Sequence, residues 1–497
     1  MAASPEPYAA IDLGSNSFHM IVANSMDGRI QIVDKLKETV RLAGGLDDKN
    51  KLSEEAISRA IDCLQKFGQR IKEIPASNIR AVGTNTLRQA KNGPAFLKKG
   101  WQALGHPVEI ISGREEARLI FLGVAYSNFN DKEQRLVVDI GGGSTELGLG
   151  RGYHAHLLES LYMGCVNMSN RFFPDGEIST KKMRKAILFA RQELEAIEAT
   201  YRRAKWDTVY GSSGTIQTIR DVVNNQPNSE LSITHDALLK LKNEITEAGN
   251  INNLKYNTLS SSRVPVFAGG VAILCAVFEA LDVQSMNVSN GALREGLLLD
   301  LIGRQHDQDI RDKTVDELIS RYNIDSEHAS RVEQTACNLF EQTRKNWELD
   351  KKIDLKLLRW AAKLHEIGLT IAHSQHHKHA AYLVNNSELA GFSREEQSRL
   401  ATLLRCHRRK FPLEELLLLP DESRNKIYRL IILLRIAVLL NRSRSSNIIP
   451  EIKIHVSETG FEMGFPEKWL SEHPLTEADL ITEKDYLKAI DITLDFK

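Results

Sequence analysis

The stretch Leu136-Val-Val-Asp-Ile-Gly-Gly-Gly-Ser-Thr-Glu-Leu147 decides how the chain is read. Its opening residues are β-branched or apolar and suit a buried strand. That strand runs into Asp139 and then Gly141, Gly142 and Gly143, whose missing Cβ atoms let backbone N–H groups approach an anion. Ser144 adds a hydroxyl donor, and Glu146 returns a second carboxylate to the same turn. Carboxylates do not bind phosphate, but they hold Mg²⁺, which bridges phosphate oxygens. Acid, glycine loop and acid therefore read as a metal–polyphosphate site. The same residues also suit a strand ending in a glycine-rich hairpin. A second copy favours the first reading: Tyr8-Ala-Ala-Ile-Asp-Leu-Gly-Ser-Asn-Ser-Phe18 again joins an apolar strand to an aspartate, Asp12, and a small polar turn with Ser15 and Asn16. Two such turns predict a duplicated α/β lobe with a cleft between the halves, each half lending a loop to one anion.

Outward from these turns the pattern repeats. Alternating strands are expected over 18–23, 29–33 and 38–42. Ser53 suits a helix N-cap, followed by Ile57, Ile61, Leu64, Phe67 and Ile71 at helical spacing to about residue 74. Strands at 79–82 and 108–111 lead into the turns 83–88 and 112–118, and a helix to about Tyr126 closes the first lobe. A polar hinge, 127–134, precedes the second lobe. There a charged helix is expected over about 179–204, a strand at 208–210 before Gly211-Ser-Ser-Gly-Thr215, and an apolar helix around 270–281. A strand at 286–288 then leads into 289–296. Beyond His306 the texture is helical until strand candidates return at 452–465. The expected domains are thus 1–126, 127–305 and 306–497.

Lys plus Arg and Asp plus Glu balance at 65 each. No net field draws nucleic acid, which is not an expected partner, and any anion site is local. The five cysteines, Cys63, Cys165, Cys275, Cys337 and Cys406, form no CxxC pair, which fits buried thiols in a reduced compartment and excludes a zinc ribbon. Residues 1–7 lack the basic and apolar regions of a signal peptide, and the apolar run 430–440 contains Arg435 and is too short to cross a bilayer. A cytoplasmic location is expected, with peripheral membrane association as the alternative.

Every suspected active turn follows a strand, where open α/β sheets place their ligands. Arg88 has the fork geometry for phosphate, although a solvated helix-start arginine reads the same way. Gly211 to Thr215 suits a phosphate-cradling helix N-terminus. Glu115 and Glu116 open a helix, which acids favour electrostatically; if the lobes close, one of them can face Asp139 and Glu146 and orient water for attack on a terminal phosphate. No lysine follows a GxxxxG, so this is not a P-loop. Glu295 reads as a helix-start acid. In the helical region, His365-Glu366 and His373-Ser-Gln-His-His-Lys-His379 read as a surface cluster rather than a ligand set, and 359–410 and 424–444 are locally basic.

These residues together resemble the bacterial exopolyphosphatase/guanosine pentaphosphate phosphohydrolase family. The resemblance rests on Asp12-Leu-Gly-Ser-Asn-Ser-Phe, Thr86-Leu-Arg88, Ser112-Gly-Arg-Glu-Glu-Ala, Asp139-Ile-Gly-Gly-Gly-Ser-Thr-Glu, Gly211-Ser-Ser-Gly-Thr and Gly291-Ala-Leu-Arg-Glu-Gly, in that order along nearly the whole chain. It implies α/β architecture: duplicated actin-like (RNase H-like, sugar kinase/heat-shock ATPase) lobes with a C-terminal all-α HD-like domain and a small β-containing tail. It also implies Mg²⁺ and a homodimer; K⁺ is a candidate activator. Glu116 matches the catalytic glutamate, and Asp139 and Glu146 match the magnesium-binding acids. Ser15, Asn16, Arg88, Gly141, Gly142, Gly143, Ser144, Ser213, Gly214 and Thr215 match phosphate-contacting turns. His365 is followed by Glu366 where working HD enzymes carry aspartate, which places a second hydrolytic centre in doubt.

Residues 376–383 and the basic Cys406-His-Arg-Arg-Lys410 look more like the exopolyphosphatase branch. The expected activity is therefore Mg²⁺-dependent, processive release of terminal phosphate from inorganic polyphosphate, with His379, Arg405, His407, Arg408, Arg409 and Lys410 as a channel for the chain. The alternatives are hydrolysis of guanosine pentaphosphate to the tetraphosphate, a sugar or acetate kinase, and an alarmone-binding regulator without turnover.

Overall fold

The computed structural model describes residues 6–26, 29–128, 130–229, 231–305, 308–417, 421–444, 449–457 and 459–497. His306, where the helical region was expected to begin, lies outside the described residues. So do Phe129 of the polar hinge, Glu458 of the tail and most of the segment read for a signal peptide. The chain divides into two compact units, 1–309 and 310–497.

The first unit contains two sheets built on one plan. In the first, β1 (Glu6–Leu13), β2 (Ser17–Met26) and β3 (Arg29–Thr39) form antiparallel hairpins, while β4 (Ile79–Gly83) and β5 (Val108–Ile110) add in parallel on the other side of β1. The second has β6 (Gln134–Ile140), β7 (Thr145–Arg151), β8 (His154–Leu161), β9 (Thr208–Ser212), β10 (Ile233–Thr234) and β11 (Ser285–Val288). Its order, β10-β11-β9-β6-β7-β8, repeats β5-β4-β1-β2-β3 with one short strand added at the edge. Asp12 and Asp139 stand next to last in β1 and β6, so the duplication read from the two aspartate turns is present in the pairing itself.

Two expectations are corrected here. Residues 29–39 form one strand where the sequence suggested two, because a bulge opposite Val22/Ala23 absorbs Val33 and restores the register with β2. The longest apolar run among the described residues is not 430–440, as expected, but lies in the helix Val264–Leu281, with a mean hydropathy of 2.1. It is buried among Met183, Ala186, Met168 and Ile219 of the second lobe, which is why no face of it needs polar residues.

Helix ends follow local chemistry. Ser53 caps Glu54–Ile71, Ser112 caps Gly113–Ser127 and Ser179 caps Thr180–Ala204, each hydroxyl accepting a backbone N–H of the first turn. The helices Gly113–Ser127 and Leu293–Gln305 cross at glycine: a Cβ on Gly296 would lie 1.7 Å from the carbonyl oxygen of Leu119. Glycine is therefore required at that crossing for packing, not for ligand approach.

The second unit is helical, with the leucine-rich helix Asp421–Leu440 through its core. Strands Lys453–Val456, Gly460–Gly464 and Thr493–Phe496 form the small terminal sheet. Arg435, the charge inside the apolar run, is buried and meets Glu483 through two hydrogen bonds of 2.5 and 2.8 Å and the carbonyl of Cys406 at 2.6 Å.

Candidate active site

A cavity of about 260 Å³ opens in the first unit at the ends of β1 and β6. Asp12 arrives on β1, and Asp139 and Glu146 face each other across the β6–β7 hairpin. Glu116 arrives on the first turn of Gly113–Ser127. The structure separates the two adjacent glutamates: Glu115 turns inward to Arg118, at 2.7 Å, whereas Glu116 reaches the cavity and accepts from Arg88 Nη1 at 2.7 Å.

Glu116, Asp139 and Glu146 are buried, Asp12 is partly buried, and all four are poorly compensated. Burial, reinforced by repulsion from Glu116, Asp139 and Glu295, pushes Asp12 up to about 8. Its Oδ1 is buried without a hydrogen-bond partner. Burial drives Asp139 up to about 7, against a hydrogen bond from Ser212. Burial followed by Glu116 and Asp139 raises Glu146, although the hydroxyls of Ser144 and Ser160 oppose the shift. Burial also raises Glu116, with Arg88 opposing. Such acids keep protons unless a cation is supplied.

Cations face them from the same cavity. Lys37, Arg263 and Arg294 line it, and His19, whose Nδ1 lies 3.2 Å from Arg294 Nη1, is pushed down to about 3 by burial and by those three charges. Burial and the two arginines also lower Lys37. Gly214 makes room for this arrangement: a Cβ there would lie 1.9 Å from Arg263 Nη2. Ser213 beside it holds a left-handed φ of 83° at the start of the helix Ser213–Val223, a strained conformation for serine.

Of the residues singled out by sequence, Ser15, Asn16, Glu116, Asp139, Gly141, Gly142, Ser144, Glu146, Ser213, Gly214 and Thr215 line this cavity. Gly143 does not; it abuts Asn85 and Ser15, where the turns of the two lobes meet. Arg88 does not line it either, because its guanidinium is held by Glu116 and by the carbonyl of Ile111, at 3.0 Å. In this structure it therefore sits behind Glu116 rather than in the cavity. Sequence reasoning missed Lys37, Arg263 and Arg294. Lys37 and Arg263 lie outside the glycine turns, whereas Arg294 lies within the Gly291-Ala-Leu-Arg-Glu-Gly motif and was not singled out there.

The donor set fits Mg²⁺. This ion takes one or two carboxylates and completes its shell with water and substrate phosphate, so it needs no closed cage. Asp139 and Glu146, with the unpartnered Oδ1 of Asp12 nearby, meet that requirement.

The basic track expected in the helical unit is rearranged. His407, Arg408 and Arg409 line a separate cavity of about 490 Å³, whereas His379, Arg405 and Lys410 are not in its wall. Arg405 pairs with Glu415 at 3.1 Å. The surface reading holds for His373, which is exposed, but not for His365, His376, His377 and His407, which are buried with their rings packed on one another.

Comparison with known proteins matches the Ppx/GppA phosphatase family over residues 21–305 and Ppx/GppA phosphatase domain III over 310–484. The guanosine-5'-triphosphate,3'-diphosphate pyrophosphatase of Aeromonas hydrophila is 42% identical over 473 residues, covering 95% of each chain. The protein of the same name from Vibrio vulnificus is 41% identical over 479 residues, 96% of this chain and 95% of its own. Among solved structures, the PPX-GPPA enzyme of Aquifex aeolicus is 28% identical with a TM-score of 0.52, covering 60% of this chain and 99% of its own.

Proposed function

This chain belongs to the Ppx/GppA phosphatase family and is a phosphoanhydride hydrolase, and we propose that it removes the terminal 5'-phosphate of guanosine-5'-triphosphate,3'-diphosphate. The observation that carries the chemistry is the shared cavity, with Glu116 beside Asp12, Asp139 and Glu146 and with three cations lining the same space. The names of relatives similar along the whole chain support this substrate over polyphosphate, the substrate favoured by the basic runs. Polyphosphate remains the second reading because it ends in the same phosphoanhydride, and Arg408 and Arg409 favour it by lining one cavity.

In the proposed reaction, Lys37, Arg263 and Arg294 hold the phosphate oxygens and offset charge as the terminal P–O bond breaks. Glu116, oriented by Arg88, accepts a proton from the attacking water. Orthophosphate leaves, and the guanosine tetraphosphate takes the electron pair of the broken bond. Mg²⁺ held by Asp139 and Glu146, with Asp12 beside them, would screen charge on the phosphate oxygens. The loop N–H group of Gly142 closes the anion end, the Gly141 N–H being held by the Ser144 carbonyl at 2.9 Å.

Phosphate release is measured with Mg²⁺ and no acceptor, on guanosine pentaphosphate and on polyphosphates of several lengths. A kcat/KM at least about tenfold higher for the guanosine substrate supports the reading, and the reverse ranking overturns the substrate assignment. Glu116→Gln should lower kcat by more than about tenfold, a loss above about 1.4 kcal/mol. Retention of more than a tenth of the rate removes Glu116 as the base.

A further inference from the structure

We propose that the helical unit carries a metal site of its own, a divalent transition-metal ion bound by His328, His365 and Glu366 at the wall of the second cavity. One ligand atom from each residue lies within 4.8 Å of the others, the only such group among the described residues. His328 sits in the first turn of the helix Ser326–Thr343, and His365 and Glu366 follow the helix Asp354–Leu364, so three ligands come from two packed elements.

The tautomers argue for a ligand. His365 Nδ1 lies 2.7 Å from the carbonyl oxygen of Ala362. A carbonyl only accepts, so the proton sits on Nδ1 and Nε2 keeps its lone pair. That Nε2 is buried without a partner. His407 repeats the arrangement: its Nδ1 is 2.7 Å from the carbonyl of Leu404, its Nε2 is buried and unpartnered, and its ring centroid is 5.7 Å from that of His365. Metal-bound imidazoles are oriented in just this way, one nitrogen held by a backbone carbonyl and the other presented to the ion. His328 Nε2 is 3.9 Å from Glu366 Oε1, too far for a direct hydrogen bond. An ion between them would bind His328 Nε2 and take the place of Arg444 at Glu366 Oε1.

Two imidazoles and one carboxylate suit Zn²⁺ and its transition-metal neighbours better than Mg²⁺, which prefers an all-oxygen shell. The competing charge is Arg444, which pairs with Glu366. Arg444 is half exposed and also reaches Asp325 at 3.2 Å, so it has a second partner to withdraw to when an ion enters.

The test is a Co²⁺ titration of the full chain, stripped of metal and held in excess Mg²⁺ to fill the carboxylate site of the first unit. The expected result is one equivalent of bound Co²⁺ with visible ligand-field absorption, displaced by one equivalent of Zn²⁺. His365→Ala and Glu366→Gln should each weaken binding by about tenfold or more. Arg444→Gln should tighten it, and Glu116→Gln should leave it unchanged. Glu366→Gln alters a partly exposed group and carries the test if His365→Ala loses its helical circular dichroism. Absence of a bound equivalent, or an equivalent that survives Glu366→Gln unweakened, overturns the site.

Discussion

Replacing Arg88 by methionine should move the acid limb of the pH–rate profile rather than lower its plateau. Arg88 Nη1 donates to Glu116 at 2.7 Å and to the carbonyl of Ile111 at 3.0 Å, which fixes the guanidinium behind the carboxylate instead of in the cavity. Burial raises the Glu116 carboxyl, and Arg88 opposes that shift by favouring the ionised form. A base must be ionised to accept a proton, so activity rises with pH as Glu116 ionises. Without Arg88 the carboxyl holds its proton to higher pH, and the rising limb moves the same way. Hydrogen bonds to charged groups contribute about 1.5–3 kcal/mol. On the acid side that is roughly a tenfold to hundredfold loss, which recovers as pH rises. Asp12, Asp139 and Glu146 interact with Glu116, so the limb reports the set rather than one residue. The assay is kcat/KM by phosphate release across the pH range for the native chain, Arg88→Met and Arg88→Lys. A uniform loss at every pH with a raised KM would refute the clamp and return Arg88 to direct phosphate binding.

Gly214→Ala should raise KM strongly while changing the melting temperature little, because the new Cβ meets only the mobile end of Arg263; unchanged kinetics would remove Arg263 from the site. Asp12 and Asp139, held up to about 8 and about 7 by burial, bind protons more tightly folded than unfolded, so the stability they contribute is complete below about pH 4 and lost as pH rises through 7 to 8. Mg²⁺ should therefore raise the melting temperature more at about pH 8.5 than at about pH 5.5, and equal shifts in a thermal scan would count against a carboxylate site. Arg435→Met should destabilise the helical unit by about 3–5 kcal/mol in denaturant unfolding by leaving Glu483 buried and unpaired, and adding Glu483→Leu should recover most of it. Failure of the double variant to recover would mean that the cost lies in packing.

The duplicated lobes were legible because strand, aspartate and glycine turn recur at Asp12 and Asp139, and period-two patterning survives in any strand with one buried face. By residue type alone Glu116 was legible only as one of two adjacent acids, since helix starts attract both for the same electrostatic reason, and it was the family resemblance that singled it out. What separates them in the fold is Arg118, the i,i+3 partner of Glu115 on the same helix, a local spacing that was readable, reinforced by its long-range pairing with Asp300, which was not. Arg88 is ambiguous for a related reason: fork geometry suits carboxylate and phosphate equally, and in this structure Glu116 lies opposite. Lys37, Arg263 and Arg294 are distant in sequence and come together only in the folded cavity. The buried histidines were misread because His365 is followed by Glu366 instead of aspartate and the others are not at i,i+4 spacing with it, whereas the fold brings their rings together and holds one nitrogen of His365 and of His407 on a backbone carbonyl.

Asp300 shows why burial alone does not identify a functional acid. It is at least as thoroughly enclosed as Asp12, yet Arg80 reaches it at 2.6 Å, Arg118 at 2.5 Å and Arg304 at 2.8 Å. Those guanidiniums outweigh its burial and hold its carboxyl far below the usual carboxylate range. That acid is saturated and has no capacity left for a ligand. Asp12 has the opposite balance, with an unpartnered oxygen, acidic neighbours and Arg294 as the opposing cation. Both arrangements occur within one unit, built from arginines and aspartates that composition counts alike. The fold therefore neutralises the acid that joins its helices to the β1 sheet and leaves uncompensated the acids at the ends of β1 and β6. A duplicated actin-like fold in which both sets were saturated would be equally compact and would have no affinity for a phosphate-bound cation. The inference from fold to hydrolase rests on that difference in compensation, since the strand order alone permits either.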